Sequence, residues 1–259
     1  MADASVTQDA ILVADKGRSK TGEALYSTRR LFVQLLAYGG CADSSAVAAA
    51  LEEAGVPAVF YEDLNDPKGV ALLCFHEDPD FFLDTVRPLV GTEPFRGLVP
   101  KPEYTMFGRT YSMGWESDLD EALIERPLQR LRDPSLRWAV WYPLRRSGSF
   151  EQLDEKEQRS ILAEHGSIGQ SFGRAGIAHD VRLACHGLNK EDNDFIIGVL
   201  STELQPLSAI VQRMRKTRQT SLYIERLGPF FIGRVCWQCT ATGRTSVGGQ
   251  RTASGQAGS

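Results

Sequence analysis

The chain has 259 residues, of which 42% are hydrophobic and 24% charged, the composition of a globular protein long enough for one large or two small domains. A net charge of −4 argues against the basic stripe of a nucleic-acid-binding surface, and apolar runs such as Val70 to Phe75 are too short to span a bilayer. Residues 1–20 lack the charged start and long apolar stretch of a secretory signal, and the odd, sparse set Cys41, Cys74, Cys185, Cys236 and Cys239 fits reduced thiols in a cytoplasmic protein.

In chain order, residues 1–27 are polar and weakly patterned, and are expected to form a flexible arm. A first block, 28–100, opens with the strand-like run "RLFVQLLAY". It continues with the Ala-rich helix "SSAVAAALEEAGV", capped by Ser44 or Ser45 and closed at Gly55. "AVFYEDL" and "GVALLCFHE" read as paired strands around the turn "NDPKG", and "DPDFFLDTVRPLV" as a helix with Asp78 at its cap. Residues 101–135 read as a linker with a short charged helix near "DEALIERPLQRL".

A second block, 136–239, repeats that order without repeating residues. "RWAVWYPL" is a strand, "DEKEQRSILAEHG" a helix, "DVRLACHG" and "DFIIGVLST" strands, "LSAIVQRMRKTRQTSLYIE" a helix and "GPFFIGRVCWQ" a final strand. The β-α-β-β-α order predicts an α+β protein with two ferredoxin-like (βαββαβ) domains in tandem, their sheets joined as in a dimeric α+β barrel. Residues 240–259, rich in Gly, Ser and Thr, are expected to be a disordered tail.

Two features carry chemistry. Cys236 and Cys239 have the spacing of a redox dithiol, but they end a strand-like run instead of opening a helix, and no second pair completes a zinc site. His165 is the sharper candidate. Asp154 followed by Glu157 makes a helix-start pattern, and Gly166 is placed as the closing glycine. Ile161 and Leu162 share a face with His165, so the imidazole is delivered from a helix end into an apolar space. That arrangement suits a core histidine bonded to a carbonyl, a cation at the negative end of the helix dipole, or the axial ligand of a haem. His76 and His186 read as turn residues.

The segments "VWYPLRRSGSF", "HG-x-IG", "HGLNKEDNDF", "MRKTRQTSLY" and "GPFFIG" follow one another in register. Together they resemble the chlorite dismutase superfamily, which includes coproheme decarboxylases. The resemblance is specific from about Trp138 to Trp237 and fold-like from about Leu31 to Val90. It implies one haem b or iron coproporphyrin per chain, held in the second domain, with His165 as axial iron ligand. It implies that Tyr142 is the radical-forming tyrosine of a decarboxylase, that Arg146 and Arg126 contact propionates, and that Thr220 is a hydroxyl facing a propionate. The distal position does not align cleanly and falls on Asp180, Arg182 or His179. The glutamate that hydrogen-bonds the axial histidine in chlorite dismutases aligns with Leu200, which tilts the reading away from chlorite dismutation. The implied function is a haem-dependent oxidoreductase: a peroxide-dependent coproheme decarboxylase giving haem b, with hydrogen peroxide as oxidant. Its alternatives are a chlorite dismutase or weak haem peroxidase with Arg182 as distal cation, and a non-catalytic haem-binding module. A homo-oligomer is implied as well.

Overall fold

In a computed structural model, described for residues 13–239 and 246–247, the chain forms thirteen strands and seven α-helices among the described residues. A hairpin of β1 (Asp15–Arg18) and β2 (Ala24–Ser27) precedes β3 (Phe32–Gly39), α1 (Ser44–Ala54), β4 (Ala58–Asp63) and β5 (Val70–His76). A π-helical turn, Phe82–Val86, leads into α2 (Arg87–Val90), followed by β6 (Val99–Pro100) and β7 (Met106–Thr110). A second π turn, Glu121–Glu125, leads into α3 (Arg126–Leu131). The second half contains β8 (Trp138–Arg146), α4 (Gly148–Glu151), α5 (Glu155–Arg174), β9 (His179–Ala184) and β10 (Phe195–Ser201). It continues through α6 (Leu204–Met214), α7 (Arg218–Leu222), β11 (Ile224–Leu227), β12 (Phe231–Gln238) and β13 (Ser246–Val247).

The first half has the strand order β7-β3-β5-β4 and the second β12-β8-β10-β9, each the fourth-first-third-second order of a ferredoxin-like unit. The halves join twice, where β7 pairs with β9 and β12 with β4, all antiparallel. These eight strands therefore close on themselves, and every one of them contributes to a single interior cluster that includes Val33, Tyr61, Leu73, Met106, Trp141, Leu183, Ile196 and Phe231.

Period-two alternation then assigns the outer face of each half to its own helices. The first half packs Phe60, Leu72 and Cys74 beneath α1 and the Phe82–Val86 turn. The second packs Val140, Tyr142, Leu144 and Val199 beneath α5 and α6. Trp237 is an exception in β12. A bulge between Val235 and Trp237 adds one residue and reverses the alternation, so Trp237 leaves the interior side and packs into the first half's helical layer.

Several boundaries differ from the sequence reading. The linker holds β7, which is the fourth strand of the first unit, so that unit runs past residue 100. The five-residue "MFGRT" is recognisable only once both its edges are paired. A Cβ on Gly108 would meet the Ala184 carbonyl oxygen and the Leu183 Cβ at 3.0 Å, so glycine lets β7 approach β9. The arm expected through Ser27 forms the β1–β2 hairpin from Asp15 onward, with Asp15 beside Arg30 and Arg109. Its first twelve residues lie outside the described residues, as does the expected tail at 240–259 apart from Ser246 and Val247. Helix α1 is capped by Asp43, whose side chain accepts from the Ser45 amide, and not by a serine; Gly55 closes it as read.

The two largest corrections fall in the second half. Helix α5 does start at the Asp154 cap, which accepts from the Glu157 amide, but it runs through Gly166 to Arg174. The left-handed glycine after its end is Gly176, at φ 65°, so His165 lies in mid-helix. The long helix expected from Leu207 to Glu225 is two helices. Amides of Lys216 and Thr217 bond back only three residues, to Arg213 and Met214, which tightens and ends α6. Thr217 then caps α7 by accepting from the Thr220 amide.

Candidate functional site

Ile161, His165, Ile168 and Phe172 follow one face of α5. Phe172 belongs to the apolar layer on the second half's sheet, and Ile168 packs against it. That face presents His165 to the sheet rather than to water. The ring's Nδ1 lies 3.1 Å from the Thr217 Oγ1 and 3.5 Å from the Thr220 Oγ1. Nε2 makes no hydrogen bond among the described residues. Burial pushes the imidazole pKa down to about 4; Arg146 and Arg182 act in the same direction and Glu164 opposes them. The ring is therefore neutral near pH 7, the state in which an imidazole nitrogen can ligate a metal.

Opposite α5, Tyr142 lies on the outer face of β8, 8% exposed and stacked on Phe230 with ring centroids 4.4 Å apart. Burial raises its pKa, Asp180 adds to the rise and Arg215 opposes it, so the phenol stays protonated. Four residues on, Arg146 shares that face. Its guanidinium carbon lies 4.3 Å from the Phe150 ring centroid and 5.0 Å from that of Phe195, with Glu151 at 3.6 Å. The Arg146 Nε is buried with no hydrogen-bond partner. A buried guanidinium donor left unused is costly, and a carboxylate is the group that would satisfy it.

On β9, Asp180 and Arg182 share the outer face as the alternation requires, opposite Val199 and Ile197 of β10. Asp180 joins two arginines: its Oδ1 accepts from Arg130 Nη1 at 2.9 Å and its Oδ2 pairs with Arg182 Nε at 3.0 Å. His179, at the opposite parity, pairs in register with Leu200. Leu200 is 2% exposed inside the barrel, on the far side of the sheet from His165. It is not the position from which a side chain reaches the imidazole; Thr217 and Thr220 are.

Arg126, at the start of α3, makes a two-pronged pair with Glu121. It reaches a small cavity of about 30 Å³ whose walls include Tyr111, Arg130, Asp180 and Arg182, room for about one water molecule. Burial raises the Tyr111 pKa while Arg182 and Arg146 oppose it, which puts both guanidinium groups within electrostatic reach of that phenol. A larger cleft, about 490 Å³, lies elsewhere, between the β2 end and residues 117–120.

The structure thus gathers His165, Tyr142, Arg146, Arg182 and Thr220 on one side of one sheet, with Arg126 at its margin. Sequence reading missed Thr217, Tyr111 and the Arg130–Asp180 pair. A Thr in the middle of a long helical run was the available signal for Thr217, because Thr favours caps over helix interiors. Cys236 and Cys239 stay outside the site: burial pushes the Cys236 thiol up to about 12, which makes it a poor thiolate.

The donor set fits an iron porphyrin. One neutral imidazole has a free Nε2. Partly buried apolar side chains, among them Ile168, Ile197, Met214, Phe230 and Ile232, suit the faces of a flat macrocycle. The unpartnered buried Arg146 donor suits a peripheral carboxylate, whereas Arg126, Arg130 and Arg182 are already paired with Glu121 and Asp180.

The family model described as chlorite dismutase matches residues 99–236. No curated protein matches the sequence. Among solved structures, a haem-binding protein from Thermus thermophilus superposes with a TM-score of 0.63 at 20% identity, covering 80% of this chain and 91% of that one. A mutant chlorite dismutase from Candidatus Nitrospira defluvii gives 0.63 at 15% identity, covering 81% and 92%. The same organism's enzyme in complex with imidazole gives 0.62 at 15%, covering 79% and 90%. At these identities the likeness is one of fold.

Proposed function

Because the chain belongs to the chlorite dismutase family, we propose that it binds an iron porphyrin between α5 and the sheet of its second half, with His165 as the axial ligand. The reaction is peroxide-dependent decarboxylation of coproheme propionates to give haem b. The observation that carries the reading is the neutral, Thr217-bonded His165 on the helix that covers the sheet face bearing buried Tyr142 and Arg146, whose Nε is unused.

The iron porphyrin, which is also the substrate, supplies peroxide activation. The chain's own residues bind and orient it. Arg146 takes a propionate through a charge-assisted hydrogen bond, and the partly buried apolar layer excludes water from the ring faces. Tyr142 keeps its proton at neutral pH and would give up that proton and one electron together near the reacting propionate. Each propionate, –CH2–CH2–COO⁻, becomes a vinyl group and carbon dioxide; one hydrogen peroxide and one proton take up the two electrons and leave two water molecules. Thr220, read from the resemblance as a propionate contact, lies instead beside the Nδ1 of His165, and we assign it to the imidazole side. A closed homo-oligomer is the assembly that accompanies this reading.

A second reading rests on Arg182, which shares the site face and is held by Asp180: a chlorite-decomposing or peroxidase activity with Arg182 as the distal cation. An absorption titration with haem b and with iron coproporphyrin, followed by peroxide and mass spectrometry of the porphyrin, separates the two. Loss of two carbon dioxide equivalents from coproporphyrin supports decarboxylation. An unchanged mass with turnover of chlorite or of a reducing co-substrate moves the assignment to Arg182, and absence of any binding rejects both.

A further inference from the structure

We propose that Thr217 is a positioning residue that sets the tautomer of His165: its hydroxyl oxygen accepts a hydrogen bond from the Nδ1–H and leaves the Nε2 lone pair for iron. The iron-bound part of this inference rests on the porphyrin reading above; the tautomer part does not.

A hydroxyl has one proton and two lone pairs. Thr217 Oγ1 lies 2.7 Å from the Met214 carbonyl oxygen, which can only accept, so the Thr217 proton is committed there. Toward the Thr220 amide, at 3.4 Å, the oxygen can only accept. The remaining lone pair faces His165 Nδ1 at 3.1 Å, and the ring must be the donor. The other contacts, Thr220 Oγ1 to Nδ1 at 3.5 Å and Thr217 Oγ1 to Thr220 Oγ1 at 3.4 Å, are longer and do not compete with the Met214 bond.

The relay is held in place. Thr217 is 2% exposed, its backbone is extended at φ −74° and ψ 153° as the cap of α7, and its amide donates back to Met214 at 3.1 Å. The carboxylate nearest in sequence is diverted: Glu164 accepts from Arg218 Nε at 2.8 Å. The acceptor behind the ring is thus a neutral hydroxyl already oriented by a carbonyl. A carboxylate there would draw the Nδ1 proton and make the ligand anionic; the hydroxyl keeps it a neutral imidazole.

The test starts from the porphyrin-free protein labelled with ¹⁵N-histidine at pH 7, with the His165 signals assigned by their loss in His165→Gln. The wild type should show the Nδ1-protonated tautomer. Thr217→Val should mix or invert the tautomers, and Thr217→Ser should restore them. In the ferrous porphyrin complex, the iron–imidazole stretching frequency should fall in Thr217→Val and rise in Thr217→Asp, and porphyrin affinity in Thr217→Val should drop by roughly 10–100-fold. An Nε2-protonated wild type overturns the proposal, as does a Thr217→Val protein with unchanged tautomer and frequency. If Thr217→Val does not fold, the wild-type tautomer and Thr217→Asp, which keeps a helix cap, decide. If no porphyrin binds, the functional reading fails while the tautomer still judges Thr217.

Discussion

The two halves of the barrel share a strand order and differ in what fills the space between sheet and helices. In the first half, fifteen buried residues, with Phe60, Phe95 and Trp237 among the largest, fill that layer, and nine partly buried ones surround it. In the second half the proportion reverses, with eight buried and twelve partly buried. Aromatic side chains close the first layer, and Trp237 is even brought across from β12 by a bulge. The second layer presents incompletely covered apolar side chains, a neutral histidine and an arginine with an unused donor. The repeated strand order supplies two equivalent surfaces; the first is filled by its own side chains, and the second is the one to which the proposed function assigns a flat ligand with acidic edges.

The sharpest way to break that comparison is to truncate one residue on each side. Phe60, at 0% exposure, should cost about 3–5 kcal/mol as Phe60→Ala, read by chemical denaturation. Ile168→Ala, on the partly buried side, should cost less than about 2 kcal/mol but weaken porphyrin binding. Equal stability losses at the two sites, with binding unchanged, would remove the distinction.

Within the second half, His165→Ala should abolish the imidazole-type Soret spectrum while circular dichroism stays that of the wild type. An unchanged Soret band rules out His165 as the ligand.

A smaller effect separates binding from chemistry. Arg146→Ala removes a charge-assisted hydrogen bond of about 1.5–3 kcal/mol, so coproporphyrin affinity should fall by roughly 10- to 150-fold. Tyr142→Phe should bind with near-normal affinity yet release little carbon dioxide on peroxide addition. Wild-type decarboxylation by Tyr142→Phe would sink the tyrosine's role.

The smallest expected effect concerns Gly166. In mid-helix, with nothing within 4 Å of a Cβ, Gly166→Ala should leave the porphyrin-free protein unchanged or up to about 1 kcal/mol more stable. A clear loss of stability would put the helix end back at Gly166.

Much of the fold was legible from periodicity and caps. The apolar runs of β3, β5, β8 and β10, the Asp154 cap and the Gly55 terminus are local features, set by side-chain alternation and backbone hydrogen bonding over a few residues. The sequence therefore determined the α+β class, the repeated βαββαβ order and the exceptional position of His165 on an apolar helix face. It also placed Tyr142 on a strand and Asp180 and Arg182 on one face of another; that these faces, with Arg146, fall on a common side came from the register of β8, β10 and β9. Tertiary structure decided what depends on neighbours distant in the chain. Strand β7 exists because β3 and β9 pair both its edges. Helix α5 continues past Gly166 because a glycine ends a helix only where the chain turns left-handed, and here the turn comes at Gly176. Leu200 was misjudged because the face a strand residue shows is set by the sheet it joins, and that sheet turns it into the barrel. Thr217 became the partner of His165 only when α6 ended early and α7 was capped beside α5. A hydrogen bond spanning 52 residues leaves no local pattern, since its geometry comes from the packing of two helices on a sheet.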